Sequence, residues 1–251
     1  MQTDEYLKLA EVEDRMWYFQ GLHALALEAL RCGLRPDLAG DVLDAGCGTG
    51  GFIKRALPAL PGRGVAGIDF SPLACDLARQ RGCPRVEVAS ITELPFADAT
   101  FAALTSLDVL VQVVERERAL AEFFRVLKPG GLVVINVAAY KWLWSYHDDS
   151  CQTQHRYTRP ELVAQTRAVG FVVEQATYRN FLTLPIVVAK RKLFRRATDT
   201  SDVKPYPEPV EAAFRGIMAA ERMWLRHVGP MPAGSSVFLV ARKPAAGKGQ
   251  S

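Results

Sequence analysis

The stretch VLDAGCGTGG, Val42–Gly51, decides the reading of this chain. A short apolar run ends in Gly46, Gly48 and Gly50, and a helix-forming segment, GGFIKRALPAL, follows at once. Glycines at that spacing let the backbone turn tightly after a strand and let a ligand approach the main chain closely. A helix that starts there directs its first N–H groups at the ligand. Outward from this point, Val/Ile/Leu-rich runs alternate with helical stretches. The runs are VAGIDF (65–70), RVEVAS (85–90), FAALTSLDVLVQV (101–113) and GLVVINVAA (131–139), with SPLACDLARQRG and ERERALAEFFRVL between them. Such alternation predicts parallel strands joined by right-handed crossovers, a doubly wound α/β sheet with helices on both faces.

Gly46, Gly48 and Gly51 also satisfy the pattern GxGxxG, a weak signal by itself. Asp69 ends the next strand, where an acid can accept hydrogen bonds from both hydroxyls of a ribose. Together they point to a nucleoside-bearing cofactor. The loop and Asp69 leave the choice between NAD and S-adenosylmethionine open. Asp44, two residues before the first glycine, bears on it. Its carboxylate would repel a pyrophosphate and would suit a cationic sulfonium and ammonium.

Further along stand ELPFADATF (93–101) and FRVLKPGGLVVI (124–135), the second with a Pro-Gly-Gly turn between helix and strand. With VLDAGCGTG and GIDFS these motifs resemble the class I S-adenosylmethionine-dependent methyltransferases of small-molecule type, over about Val42 to Ala139. The resemblance implies a Rossmann-like seven-stranded sheet whose last strand, SSVFLVARK (235–243), runs antiparallel. It also implies a set of cofactor-binding residues: Asp44, Gly46, Cys47, Gly48 and Gly50 around the methionine part, Asp69 at the ribose, Phe70 beside the adenine, and Leu107. Ser90 and Ile91 stand where relatives carry the acid that meets the adenine. Val111 and Gln112 replace an acid and a histidine that relatives keep near the methyl group. A narrower bacterial group is similar in Met16-Trp17-Tyr18-Phe19, in His147-Asp148…Arg156-Tyr157-Thr158 and in Gly234-Ser235-Ser236.

Methyl transfer from a sulfonium is an in-line displacement governed by proximity and water exclusion. A general base is needed only for an acceptor that is protonated at neutral pH. His147, His155 and Tyr157 follow the fifth strand on the ligand-binding edge and are the candidates. The rival readings are an NAD-type oxidoreductase and a module that binds the cofactor without transferring its methyl group.

Around the core, residues 1–35 read as a helical cap, 40–180 as the cofactor-binding core and 181–234 as a lid-like insertion before the last strand, all in one domain. Thr158 and Glu161 flank Arg-Pro as a capping box and open a helix. The insertion carries an apolar run, FLTLPIVVA, and a basic run, in which Lys190, Arg191, Lys192, Arg195, Arg196 and Lys204 face only Asp199 and Asp202. Residues 186–204 are therefore expected over the acceptor, or against a membrane surface or a greasy anion. An amphipathic helix is expected from about Glu208 to Val228, with Val210, Phe214, Ile217, Trp224, Leu225 and Val228 on its apolar side.

The chain has 251 residues, 49% hydrophobic and 23% charged, which excludes disordered and fibrous classes. The net charge is +4 with both signs interleaved, and no nucleic-acid stripe is read from it. The five cysteines form no CxxC pair and the four histidines no ligand pair, so no metal is expected. The polar, acidic start and the lack of a 20-residue apolar run lead to the expectation of a cytoplasmic protein acting on a small molecule.

Overall fold

The computed structural model describes residues 3–193, 202–204 and 206–245. Arg195, Arg196 and Asp199 of the basic run lie outside these described residues, as do Pro205 and the C-terminal tail. Two helices, α1 (Thr3–Val12) and α2 (Trp17–Gly33), precede the core. The core runs β1 (Val42–Ala45), α3 (Gly51–Ala59), β2 (Val65–Asp69), α4 (Pro72–Gln80), β3 (Val86–Val88), β4 (Phe101–Leu107), α5 (Arg116–Val126) and β5 (Leu127–Ala138). It continues through α6 (Tyr146–Ser150), α7 (Arg159–Ala168) and β6 (Val172–Arg179), then α8 (Leu184–Val188), α9 (Glu208–His227) and β7 (Ser236–Arg242).

The seven strands lie in the order β3-β2-β1-β4-β5-β7-β6. Strands β1 to β5 pair in parallel, whereas β7 is antiparallel to both β5 and β6. The expected doubly wound α/β sheet with an antiparallel last strand is therefore observed. The chain's last strand is not the sheet's edge, because it slots between β5 and β6. Residues buried on alternate sides of β1, β4 and β5 feed two apolar clusters, one on each face. Helix α2 contributes Leu22, Leu25, Ala26 and Leu30 to one of them, so the N-terminal cap is part of the core. The capping box at Thr158 and Glu161 forms as read and starts α7. No helix among the described residues is long and apolar enough to cross a membrane.

Helix α9 keeps only part of its expected face. Phe214, Ile217 and Leu225 are half-buried, with Phe214 against Trp17 and Leu225 against the core, whereas Val210, Trp224 and Val228 are exposed and the fully buried positions are Glu211, Met218 and Glu221. Met218 packs where a Cβ on Gly21 of α2 would meet it at 3.0 Å, so the two helices approach closely. The buried glutamates have donors waiting. Glu211 accepts from the backbone N–H of Trp17 at 2.7 Å, at the start of α2, where the cap residue Met16 makes no side-chain capping bond. Glu221 accepts from the N–H groups of Asn180 and Leu182, both at 2.8 Å. A helix start and a tight turn leave such donors orphaned, and the insertion supplies carboxylates to both. Glu221→Ala should leave two N–H groups without an acceptor and cost about 1–3 kcal/mol in urea unfolding. Glu221→Gln, which keeps one acceptor oxygen, should cost less. An unchanged midpoint for Glu221→Ala would show that water satisfies both groups.

Candidate active site

One cavity of about 1280 Å³ opens at the carboxyl ends of β1, β2, β4 and β5, where open α/β sheets bind ligands. Its floor is the glycine loop. After β1 the backbone enters left-handed conformations at Gly46 (φ 88°) and Gly48 (φ 52°). A Cβ on Gly46 would stand 2.2 Å from Val109. A Cβ on Gly48 would have only Leu9, 3.4 Å away, as a near neighbour, and Gly48 lines the cavity. Gly50 (φ 83°) does not line it. Its missing side chain makes room for Cys83 Sγ and Ala78 behind the loop, so its role is in packing α3 against α4.

Three buried carboxylates gather beside this floor. Asp44 accepts from Thr105 Oγ1 at 2.7 Å. Its pKa is pushed up to about 7 by burial, against the pull of the Thr105 hydroxyl and with help from the charges of Glu13 and Asp69. Asp69 accepts from the N–H groups of Gly48 and Ser71, both at 2.9 Å, and from the Tyr6 hydroxyl at 3.1 Å. Burial raises its pKa as well. Glu13 accepts from Thr49 Oγ1 and from Arg81 at 2.5 and 2.7 Å. Of the other residues expected here, Cys47, Phe70, Ser90, Ile91 and Leu107 all line the cavity. Phe70 is 80% exposed at the rim, while Ile91 is buried. Ser90 Oγ is 2.7 Å from Thr92 Oγ1. Burial pushes the Cys47 thiol far up, so it is an inert neutral group.

The far wall differs from expectation. His147 reaches the cavity, but its Nδ1 receives the backbone N–H of Asp202 at 3.2 Å. Burial also lowers its pKa, so the ring is neutral with its proton on Nε2, a donor rather than a base. His155 lies off the cavity, its Nε2 2.6 Å from Glu161 in the α7 capping box. Tyr157 is wholly buried in the main core, bridged by backbone bonds to Ala138 and Tyr140. Neither touches the cavity.

In their place the wall presents Asp108, just past β4, in a left-handed conformation (φ 63°). The Tyr18 hydroxyl donates to its Oδ2 and the Asn136 amide to its Oδ1, each at 2.7 Å. Burial raises its pKa. The guanidinium of Arg179 stacks 5.1 Å over the Tyr18 ring. Sequence reading missed Tyr6 and Glu13, which pass for members of helical stripes, gave Tyr18 only as part of an aromatic cluster, and read no base in Asp108. The usable signal was an acid directly after a strand on the ligand edge.

A glycine-floored cleft with two buried acids, Asp44 and Asp69, at the carboxyl edge of an α/β sheet suits a positively charged nucleoside cofactor. Residues 43–135 match the methyltransferase domain family, and this core is a class I S-adenosylmethionine-dependent methyltransferase domain. Demethylmenaquinone methyltransferase of Clavibacter sepedonicus is 43% identical over 127 residues, 49% of this chain and 47% of that protein. Probable tRNA methyltransferase 9B of Mus musculus is 36% identical over 126 residues, 49% of this chain and 27% of that protein. The geranyl diphosphate C-methyltransferase of Streptomyces coelicolor A3(2), crystallised with S-adenosyl-L-homocysteine, shares the fold. Its TM-score is 0.58 at 20% identity, covering 88% of this chain and 77% of that one. The chain spans about half the length of the curated relatives it matches. S-adenosylmethionine is the cofactor, and Asp44, the Gly46–Gly48 turn and Asp69 fit it.

Because Asp44 is neutral below about pH 7 and anionic above it, affinity for the cationic cofactor should rise with pH. The rise should approach tenfold per unit below pH 7 and flatten above it, read by calorimetry, and Asp44→Asn should lose that slope. In the cofactor-free protein the sign is opposite. A carboxyl raised from 3.8 contributes stability that is present at acid pH and lost as pH climbs through about 7. Asp44→Asn should therefore melt higher than the parent at pH 8. Asp69→Ala should weaken cofactor binding roughly 10- to 150-fold, the range for charge-assisted hydrogen bonds. Parent-like affinity in that variant would remove Asp69 from the site.

Proposed function

We propose that this chain transfers the methyl group of S-adenosylmethionine to a small acceptor with a largely apolar body. The observation that carries the reading is the continuity of the cavity. It runs without a break from Asp44 and Asp69 to a wall of Met16, Phe19, Val111, Val113, Ile186 and Phe214. Its volume exceeds the ~300–1,000 Å³ of a site for one drug-sized ligand, which leaves room for cofactor and acceptor together. The relative named for demethylmenaquinone and the enzyme crystallised with geranyl diphosphate both act on small molecules, which supports the same reading.

When bound, S-adenosylmethionine supplies an electrophilic methyl group on a sulfonium. The chain's own task is then to align the acceptor and to keep water out. Tyr6 and Leu9 of α1 reach over the glycine loop, and Trp17 of α2 stacks on Phe214 of α9 with centroids 4.8 Å apart. Where the acceptor carries a proton, Asp108 takes it. This carboxyl faces the cavity, and Tyr18 and Asn136 hold it while leaving further lone pairs open. Its raised pKa brings it nearer the working pH of a general base.

A nucleic-acid acceptor is the second reading, raised by the tRNA methyltransferase relative. Incubation with methyl-labelled S-adenosylmethionine and either bulk tRNA or the small-molecule fraction of a bacterial lysate separates the two. Label is expected in the solvent-extractable fraction. Label in tRNA alone would reverse the order of the readings, and none in either would make this a binding module. Asp108→Asn should lower turnover about 10²- to 10⁴-fold while cofactor affinity stays within a few-fold.

A further inference from the structure

The described part of the insertion comes back to the cavity wall and fills a cluster of donors there. The Asp202 carboxylate is held by three side chains from two separate segments. Lys190 Nζ and the Tyr146 hydroxyl reach Oδ1 at 2.5 and 2.8 Å, while Arg191 places Nη2 and Nε at 2.6 and 3.2 Å from Oδ2. Four donors converging on one carboxylate, two of them from a guanidinium fork, form the recognition pattern for an oxyanion. Lys190, Arg191 and Asp202 all line the cavity.

The surroundings leave this cluster with surplus positive charge. Arg156, also on the wall, donates Nε to Asp148 Oδ1 and Nη1 to the Ala139 carbonyl, each at 3.0 Å. Asp148 is committed elsewhere, since its Oδ2 accepts from Ser145 N–H at 2.9 Å and caps α6. Glu5, the next carboxylate along, is paired with Lys8 at 2.6 Å. Three cations, Arg156, Lys190 and Arg191, thus share two carboxylates, Asp148 and Asp202. Only Asp148 is built into a helix. Asp202 sits on an irregular stretch, so it can release its donors without dismantling an element. Ile186 and Val187, on the same strip of chain as Lys190, carry the apolar wall up to the cluster.

The geometry points to an oxyanion subsite, formed by Lys190, Arg191 and Tyr146, that holds a carboxylate or phosphate group of the acceptor and that Asp202 fills in the free protein. As a statement about the acceptor it rests on the methyl-transfer reading above. The acceptor class it defines is an apolar body ending in one oxyanion. The apolar part lies along Ile186, Val187 and Phe214, and the acid group displaces Asp202.

Calorimetry on the full chain saturated with S-adenosylhomocysteine tests this with four probes: decanoate, decyl phosphate, decanol and inorganic phosphate. At least one of the two decyl anions is expected to bind, and whichever is tighter identifies the acid group. Decanol should bind roughly tenfold or more weakly, in proportion to the lost charged hydrogen bonds. Arg191→Gln should weaken the anion by a similar factor and leave S-adenosylhomocysteine binding as it was. Asp202→Asn is the decisive variant. Removing the internal competitor should tighten anion binding, whereas a purely structural Asp202 predicts weaker binding or no change. Tighter binding upholds the subsite; weaker or unchanged binding overturns it. Equal affinity for inorganic phosphate and decyl phosphate overturns the assignment to the acceptor. Loss of S-adenosylhomocysteine binding in the parent would count against the methyltransferase reading instead, because the anion probes are read separately.

Discussion

The Asp69 carboxylate is where the architecture meets itself. It accepts one hydrogen bond from the glycine loop, one from the turn after β2 and one from the Tyr6 hydroxyl of α1. Three segments distant in sequence are thus fixed by one side chain at the sheet's carboxyl edge. The cost is electrostatic. Asp44, Asp69 and Glu13 are all buried within reach of one another's fields, and burial raises the pKa of each. Desolvated like charges are expensive unless a cation arrives or a proton stays. Arg81 supplies the cation to Glu13 at 2.7 Å. Among the described residues Asp44 has a hydroxyl but no cationic partner. A positively charged cofactor would complete what the fold leaves undone at Asp44, whereas a pyrophosphate would add to the repulsion.

A second use of buried carboxylates ties the insertion to the cap. Glu211 and Glu221 of α9 accept backbone donors from the start of α2 and from the turn after β6. Buried charges of this kind contribute less to net stability than to the choice of one register, since a slip would strand them without partners. Helix α9 thereby fixes how Phe214 meets Trp17, and so where the apolar end of the cavity closes.

The same carboxylates show how far the amino-acid sequence could be read. Apolar runs flanked by glycine and proline gave away the strands, and the glycine loop with Asp44 and Asp69 was legible because its chemistry is local. The face of α9 was legible only in part. Periodicity finds Phe214 and Leu225 of its inward stripe but counts a glutamate as exposed, so Glu211 and Glu221 of the same stripe go unread. His155 and Tyr157 were misread for a related reason. Both lie just past the ligand edge, but the bonds of Tyr157 to Ala138 and Tyr140 turn that stretch back into the core. Position along the chain locates an edge; it does not say which side chains lean over it.

What aims two side chains over this edge is a repeated backbone device. Asp108 and Asn180, the residues that directly follow β4 and β6, are both left-handed, with φ of 63° and 61°, and both line the cavity. Asp and Asn tolerate that conformation better than other non-glycine residues, and each such residue still costs of order 1–2 kcal/mol. The gain is a sharp turn at the strand end. At Asp108 it points the carboxylate toward Tyr18 and Asn136 and swings Val109 back over the glycine loop. Val109 then occupies the space a side chain on Gly46 would need. Glycine at 46 and the left-handed turn at 108 are therefore two halves of one constraint. The first leaves the space that Val109 fills, and the second places Val109 there while holding the Asp108 carboxylate at the cavity wall.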